Sequence, residues 1–180
     1  MHKIILPGLG KHSPLDSLKN KNYTFLDYNR TQSLEKSINQ IEGFISNIKD
    51  IELIGHSLGA TLALVVGTNN DEVRKVIAIA PICLKDTYSL SFDNKGFLNF
   101  HGKKVHKNHF ESLTMKNIKK LIKKDCLEKK IEIIVPLQDK YLDEEKIKFF
   151  KGLCSNIKIK KIKGKHNPRN TDLKKIINSL

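Results

Sequence analysis

Hydrophobic positions in this chain fall into short β-branched runs separated by stretches of helical period. Residues 4–6, 23–26, 51–54 and 73–80 read as strands, with Pro7-Gly8 closing the first and Pro81 the last. Between the second and third runs, Leu34, Ile38, Ile41, Ile45 and Ile48 make one inward stripe at helical spacing, and Ser33 stands where an N-cap belongs. Residues 58–66 (Leu-Gly-Ala-Thr-Leu-Ala-Leu-Val-Val) are apolar on every side, which predicts a helix buried all round. From about 86 to 128 the pattern becomes Lys-rich and irregular, with a helix predicted over 113–127. Regularity then returns as a strand at 131–135, a helix over 143–153 capped by Asp143, a strand near 157–162 and a closing helix over 171–180.

Strands that alternate with helices and are themselves almost continuously apolar are buried on both faces. They predict an α/β protein, a three-layer α/β/α sandwich around a mainly parallel sheet of about six strands. The 180 residues suit one domain, 1–180, long enough to bury a sizeable core without a metal or disulfide. Within it, 86–128 reads as a cap-like insertion after the fourth strand.

Charge changes this picture little. The formal net charge is +14, which by itself suggests nucleic acid or anionic membranes as partners. Of the 33 basic residues, however, only Arg30, Arg74 and Arg169 are arginine, the residue that bidentate phosphate and base recognition favours. Solvated lysine surface is the reading, with no specific nucleic-acid partner. Cys83, Cys126 and Cys154 are odd in number and widely spaced, so no disulfide framework or zinc site is indicated and a reducing, cytoplasmic setting is expected. Pro7-Gly8 cuts the first apolar run far below the length of a signal peptide or membrane span.

Candidate chemistry centres on Gly55-His56-Ser57-Leu58-Gly59, where a strand runs into an apolar helix through G-x-S-x-G. A serine at such a turn is lifted clear of the sheet, and the helix start presents unpaired N–H groups beside it. Chance alone produces this pattern with a probability of roughly 3% at this composition, before its strand-to-helix context is counted.

The residues resemble the α/β-hydrolase superfamily over nearly the whole chain. That family places nucleophile, acid and histidine in this chain order, each after its own strand. Here Ser57, Asp139 and His166 follow the third, fifth and sixth predicted strands. The resemblance implies Ser57 as nucleophile, His166 as general base and Asp139 as the acid that orients it. It also implies backbone N–H donors for an oxyanion at Leu58 and, from the loop Pro7-Gly8-Leu9-Gly10, at Leu9, although Pro7 replaces a histidine often seen before that glycine. The resemblance also implies that the first strand here corresponds to the family's third, with a sheet of about six strands as in its smallest members.

Asp143 and Asp86 are rival acids, the first better explained as a helix cap. His56 points elsewhere on the turn and is left out of the chemistry. Gly8, His12, Phe97 and Phe100 are candidate substrate contacts, and Phe92, Phe110, Leu98, Leu113 and Met115 share the insertion, as an apolar wall or as its own small core. His101, His106 and His109 match no compact metal-ligand spacing, and neither metal nor cofactor is implied. The expected activity is hydrolysis of a small carboxylic ester or thioester through an acyl-enzyme. The alternatives are acyl transfer on the same residues, or an idle hydrolase-like domain that binds through its lysines.

Overall fold

In the computed structural model, residues 1–9, 14–18, 22–29, 31–100, 103–122, 126, 128–168, 172 and 177 are described. Six parallel strands form one sheet in the order β2-β1-β3-β4-β7-β8. These are β1 (His2–Leu6), β2 (Thr24–Phe25), β3 (Ile51–His56), β4 (Val73–Ile79), β7 (Lys130–Pro136) and β8 (Lys158–Ile162). The helices are α1 (Leu34–Ile45), α2 (Leu58–Asn69), α3 (Lys107–Ser112), α4 (Met115–Leu121) and α5 (Glu144–Lys151), and a short antiparallel hairpin joins β5 (Phe97–Phe100) to β6 (Lys103–His106).

The strands' period of two divides their side chains between two cores. Ile4, Leu6, Leu53, Val76, Ala78, Ile131, Ile133 and Val135 pack on one face with α1, α2, α5 and the β4–β7 segment. Ile5, Ile54, Ile77, Ile79 and Ile134 face the other way, onto Leu15 and Leu18 of the 3-10 turn Pro14–Leu18 and onto Ile177. A sheet covered on both sides explains why its inner strands read as unbroken apolar runs. β8 lies at the edge, and there Lys158, Lys160 and Lys161 are exposed, where they oppose pairing with a further strand.

α1 begins at Ser33, whose hydroxyl accepts from Lys36 N, and buries Leu34, Ile38, Ile41 and Ile45. α2 is buried along almost its whole length, as its uniformly apolar sequence requires. It descends so close to the sheet that a Cβ at Gly59 would stand 2.0 Å from the carbonyl oxygen of Leu6.

The segment between β4 and β7 departs from expectation. The helix predicted over 113–127 is found as the shorter α4, which the Thr114 side chain caps by accepting from Asn117 N and which ends at Leu121, and a further helix, α3, precedes it across a turn at Leu113 and Thr114. The β5–β6 hairpin reads as irregular in the sequence, since two four-residue strands, Phe-Leu-Asn-Phe and Lys-Lys-Val-His, leave little alternation to detect. Cys126 and Cys154, 28 residues apart, form a disulfide with a Cα–Cα distance of 6.1 Å, against the expectation from their odd count and wide spacing. Cys83 is the remaining, buried thiol. Of the predicted closing helix only Asp172 and Ile177 are described, both helical; the rest of 171–180, together with His12 and His101, lies outside the described residues. Among the described residues no helix is long and apolar enough to cross a membrane.

The contact at Gly59 sets a test. Gly59→Ala should cost about 3 kcal/mol or more, since backbone rather than a flexible side chain occupies the space. Gly43→Ala in α1, where an added Cβ meets nothing within 4 Å, should instead stabilise by about 0.5–1 kcal/mol. Urea unfolding of both variants checks the pair.

Candidate active site

All strands of the sheet run the same way, so the loops after β1, β3, β7 and β8 emerge at one rim. Ser57 stands there between β3 and α2 with φ 56° and ψ −119°, a conformation uncommon outside glycine. Three backbone hydrogen bonds hold it. Ser57 N donates to Ile79 O at 2.9 Å, and Ser57 O accepts from Ala60 N and Thr61 N as the helix begins. Gly55 and Gly59 are required by the approach of strand to helix: a Cβ on Gly55 would lie 2.1 Å from Gly59 O.

His166 follows β8. Its Nε2 is 2.9 Å from Ser57 Oγ, and its Nδ1 is 2.8 Å from Asp139 Oδ2. An ionised carboxylate only accepts, so Nδ1 carries the proton, and in the neutral ring Nε2 is then left to accept from the serine hydroxyl. Asp139 is held in a turn after β7, where its Oδ1 accepts from Tyr141 N at 2.8 Å and its own N–H donates to Pro136 O. Leu137 N and Gln138 N donate to Ile162 O and Gly164 O, which ties the β7 loop to the β8 loop. Tyr141 closes against the imidazole edge-on, with ring centroids 5.0 Å apart. The three residues singled out in the sequence thus lie in one hydrogen-bonded run. The rival acids are engaged elsewhere: Asp143 caps α5 by accepting from Lys146 N, and Asp86 accepts from Tyr88 N within its own turn. That capping bond holds the Asp143 carboxyl below its ordinary value.

The loop after β1 lies directly beside the serine. A Cβ on Gly8 would stand 3.0 Å from Ser57 Cβ, and Tyr28 Oη fixes the loop by donating to Pro7 O at 2.5 Å. Leu9, the next residue in this loop, lines the same cavity as the serine. The N–H of Leu58, at the first position of α2, has no acceptor within its own helix.

His56 is the residue that sequence reasoning missed. It is buried beneath the rim, and its Nε2 donates to the backbone carbonyl of His166 at 2.9 Å. Its Nδ1 lies against Gly8, 3.4 Å from where a Cβ would be. One imidazole thus braces the loop that carries His166 against the loop that carries Leu9. Desolvation pushes its pKa down to about 4, with the His166 carbonyl partly opposing, so at neutral pH it is an uncharged strut. A histidine beside a serine motif is noticeable in the sequence, but nothing there reveals that its partner lies 110 positions away.

Above the rim is a cavity of about 670 Å³, within the range that holds a small molecule. Gly8, Leu9, His56, Ser57 and His166 form its floor; Leu84, Leu90, Phe100, His109, Phe110 and Leu113 wall it from the β4–β7 segment. Phe97 does not line it, contrary to expectation, because the β5–β6 pairing turns its ring onto His106 instead. Cys83 faces the cavity, but burial pushes its thiol up to about 12, which makes it part of the apolar wall rather than a rival nucleophile. His106 caps α3 through Nδ1 and His109 engages Gln32 O, so these two histidines serve separate contacts.

A parallel sheet wrapped by helices, with a serine elbow after β3 and a histidine after its last strand, is the α/β-hydrolase fold, and the resemblance read from the sequence holds at that level. Among solved structures the chain is similar to Est1E from Butyrivibrio proteoclasticus, with a TM-score of 0.72 and 19% identity over 98% of this chain and 86% of that one. A monoacylglycerol lipase from Paleococcus ferrophilus matches with a TM-score of 0.69 and 15% identity, over 98% and 92% of the two chains. The thioesterase domain from the curacin biosynthetic pathway matches with a TM-score of 0.65 and 11% identity, over 99% and 90%. At these identities the likeness is one of fold. No protein-family model and no curated protein matches the sequence.

His56 gives this site an acid-sensitive component. Between pH 6.5 and 4 the unfolded chain binds a proton on His56 that the folded chain refuses, so stability should fall as pH drops through that window, by on the order of 3 kcal/mol at its lower end. Urea unfolding from pH 7 to 4 measures this. In His56→Gln the slope should flatten, and an unchanged slope would contradict the assignment.

Proposed function

We propose that this protein is a serine hydrolase of carboxylic esters or thioesters, acting through an acyl-enzyme on Ser57. The observation that carries the reading is the run from Asp139 Oδ2 through both nitrogens of His166 to Ser57 Oγ, at 2.8 and 2.9 Å. A serine hydroxyl becomes a competent nucleophile when a base takes its proton, and a neutral imidazole oriented by a carboxylate does so near neutral pH.

In this reading Oγ attacks the ester carbonyl while its proton passes to His166 Nε2. The imidazolium that results is stabilised by Asp139. The carbonyl oxygen, now negative, accepts from the N–H groups of Leu58 and Leu9, a contribution of about 10²–10³ in rate per donor. Collapse of the tetrahedral intermediate breaks the bond to the leaving alcohol or thiol, which takes the proton from Nε2. Water then enters, gives its proton to His166 and its oxygen to the acyl carbon, and Ser57 is regenerated as the acid leaves.

The apolar cavity above Ser57 supports an uncharged acyl or alkyl group as the part bound there. The segment 86–128 is proposed as the cap that shapes it. The solved relatives in fold, a lipase and a thioesterase domain among them, accord with ester or thioester chemistry.

A fluorophosphonate probe should label the wild-type protein on Ser57 and leave Ser57→Ala unlabelled, as read by intact-mass spectrometry. Turnover of short-chain p-nitrophenyl esters should fall by about 10⁴–10⁶ in Ser57→Ala or His166→Ala. Undiminished hydrolysis in Ser57→Ala would overturn the proposal.

A further inference from the structure

We infer that His109 is a specificity-determining residue: its Nε2 is a fixed hydrogen-bond acceptor in the cavity wall, which selects an ester whose apolar arm carries a hydroxyl or N–H donor. The inference rests on the proposed ester chemistry at Ser57 for the identity of the bound molecule, and on the wall itself for the donor it asks for.

His109 is 1% exposed, yet it lines the cavity. Its Nδ1 lies 2.5 Å from the backbone carbonyl of Gln32. A carbonyl cannot donate, so Nδ1 holds the ring proton and Nε2 offers a lone pair. Among the described residues, Nε2 meets no partner. Burial also pushes the imidazole below its ordinary value, with the Gln32 carbonyl partly opposing, and so keeps the ring neutral.

The ring is not free to turn away. Ser112 Oγ donates to His109 O at 2.6 Å and accepts from Leu34 N at 2.9 Å, which pins α3 to the start of α1. Phe110 meets the His109 ring edge-on with centroids 5.5 Å apart, and Phe92 and Phe100 both pack on Phe110 at 5.8 Å. The result is an aromatic wall with one acceptor set in it. Lys146, which also lines the cavity, already donates to Tyr141 O and pairs with Asp143.

An acceptor that a bound ligand covers without pairing is costly, whereas an apolar surface alone discriminates weakly between isosteres. A ligand that brings a donor to Nε2 therefore gains over one of the same shape without it. An aromatic or alkyl arm ending in a hydroxyl fits both features of the wall.

The test compares 3-(4-hydroxyphenyl)propanoate with 3-phenylpropanoate, and their methyl esters, on the full-length protein. Wild type should bind the hydroxyl-bearing acid about tenfold tighter by calorimetry, the size of one net hydrogen bond, and show a similar ratio in kcat/KM for the esters. In His109→Phe both ratios should fall to about one. The ratio between the two ligands is the readout, not the absolute rate. Should His109→Phe fail to fold, the ¹⁵N resonance of His109 Nε2 in the wild-type protein decides: it should move with the hydroxyl-bearing acid and stay in place with the other. Equal or absent affinity for both acids, with an unmoved Nε2, overturns the inference. An affinity difference without turnover of either ester supports the acceptor role and instead removes the hydrolase reading.

Discussion

Ser57 sits at φ 56°, a backbone conformation a serine adopts at a cost, and it stays there because α2 descends onto β1 and β3 at backbone contact distance. The approach is possible only with hydrogen at Gly55 and Gly59, and it is driven by a helix whose every side is apolar. A helix that must be buried all round has to lie between the sheet and a second layer, here α1. The strained turn is therefore sustained by burial of eleven residues of α2 rather than by any one bond at the serine. The same approach leaves the Leu58 N–H, at the helix start, beside the serine.

Around that elbow the parallel sheet does the positioning. Loops that leave the carboxyl ends of parallel strands share one rim, so residues 57, 139 and 166 meet although 82 and 27 positions separate them in the chain. Mutual bonds reduce the freedom of those loops: Leu137 and Gln138 tie the β7 exit to the β8 exit, Tyr28 holds the β1 exit, and His56 braces the β1 and β8 exits against each other. A neutral buried imidazole suits this role, because it donates from one nitrogen without bringing a charge into the core.

Between β4 and β7 the fold makes a different provision. This segment adds no strand to the six-stranded sheet among the described residues, and its α3 and β5, with the loops around them, instead wall the space over Ser57. It is held through α3, where His109 and Ser112 bond the residues that lead into α1. The Cys126–Cys154 disulfide lies outside this provision, linking the chain just before β7 to the chain between α5 and β8. The floor of the cavity is thus a property of the sheet and its loops, while its upper wall belongs to the segment added above it.

The sequence by itself determined the layered α/β architecture, the burial of α2 and the elbow, because these depend on period, β-branching and the size of Gly55 and Gly59, all of which are local. It also marked Asp139 and His166 as residues that follow their own strands, and a parallel sheet leaves such residues little choice of edge. Only the tertiary structure decided what His56 and His109 touch, which phenylalanines face the cavity, where α3 ends and α4 begins, and that Cys126 meets Cys154. Each of those outcomes depends on partners that are distant in the chain, brought near by packing that no local pattern of polar and apolar residues encodes.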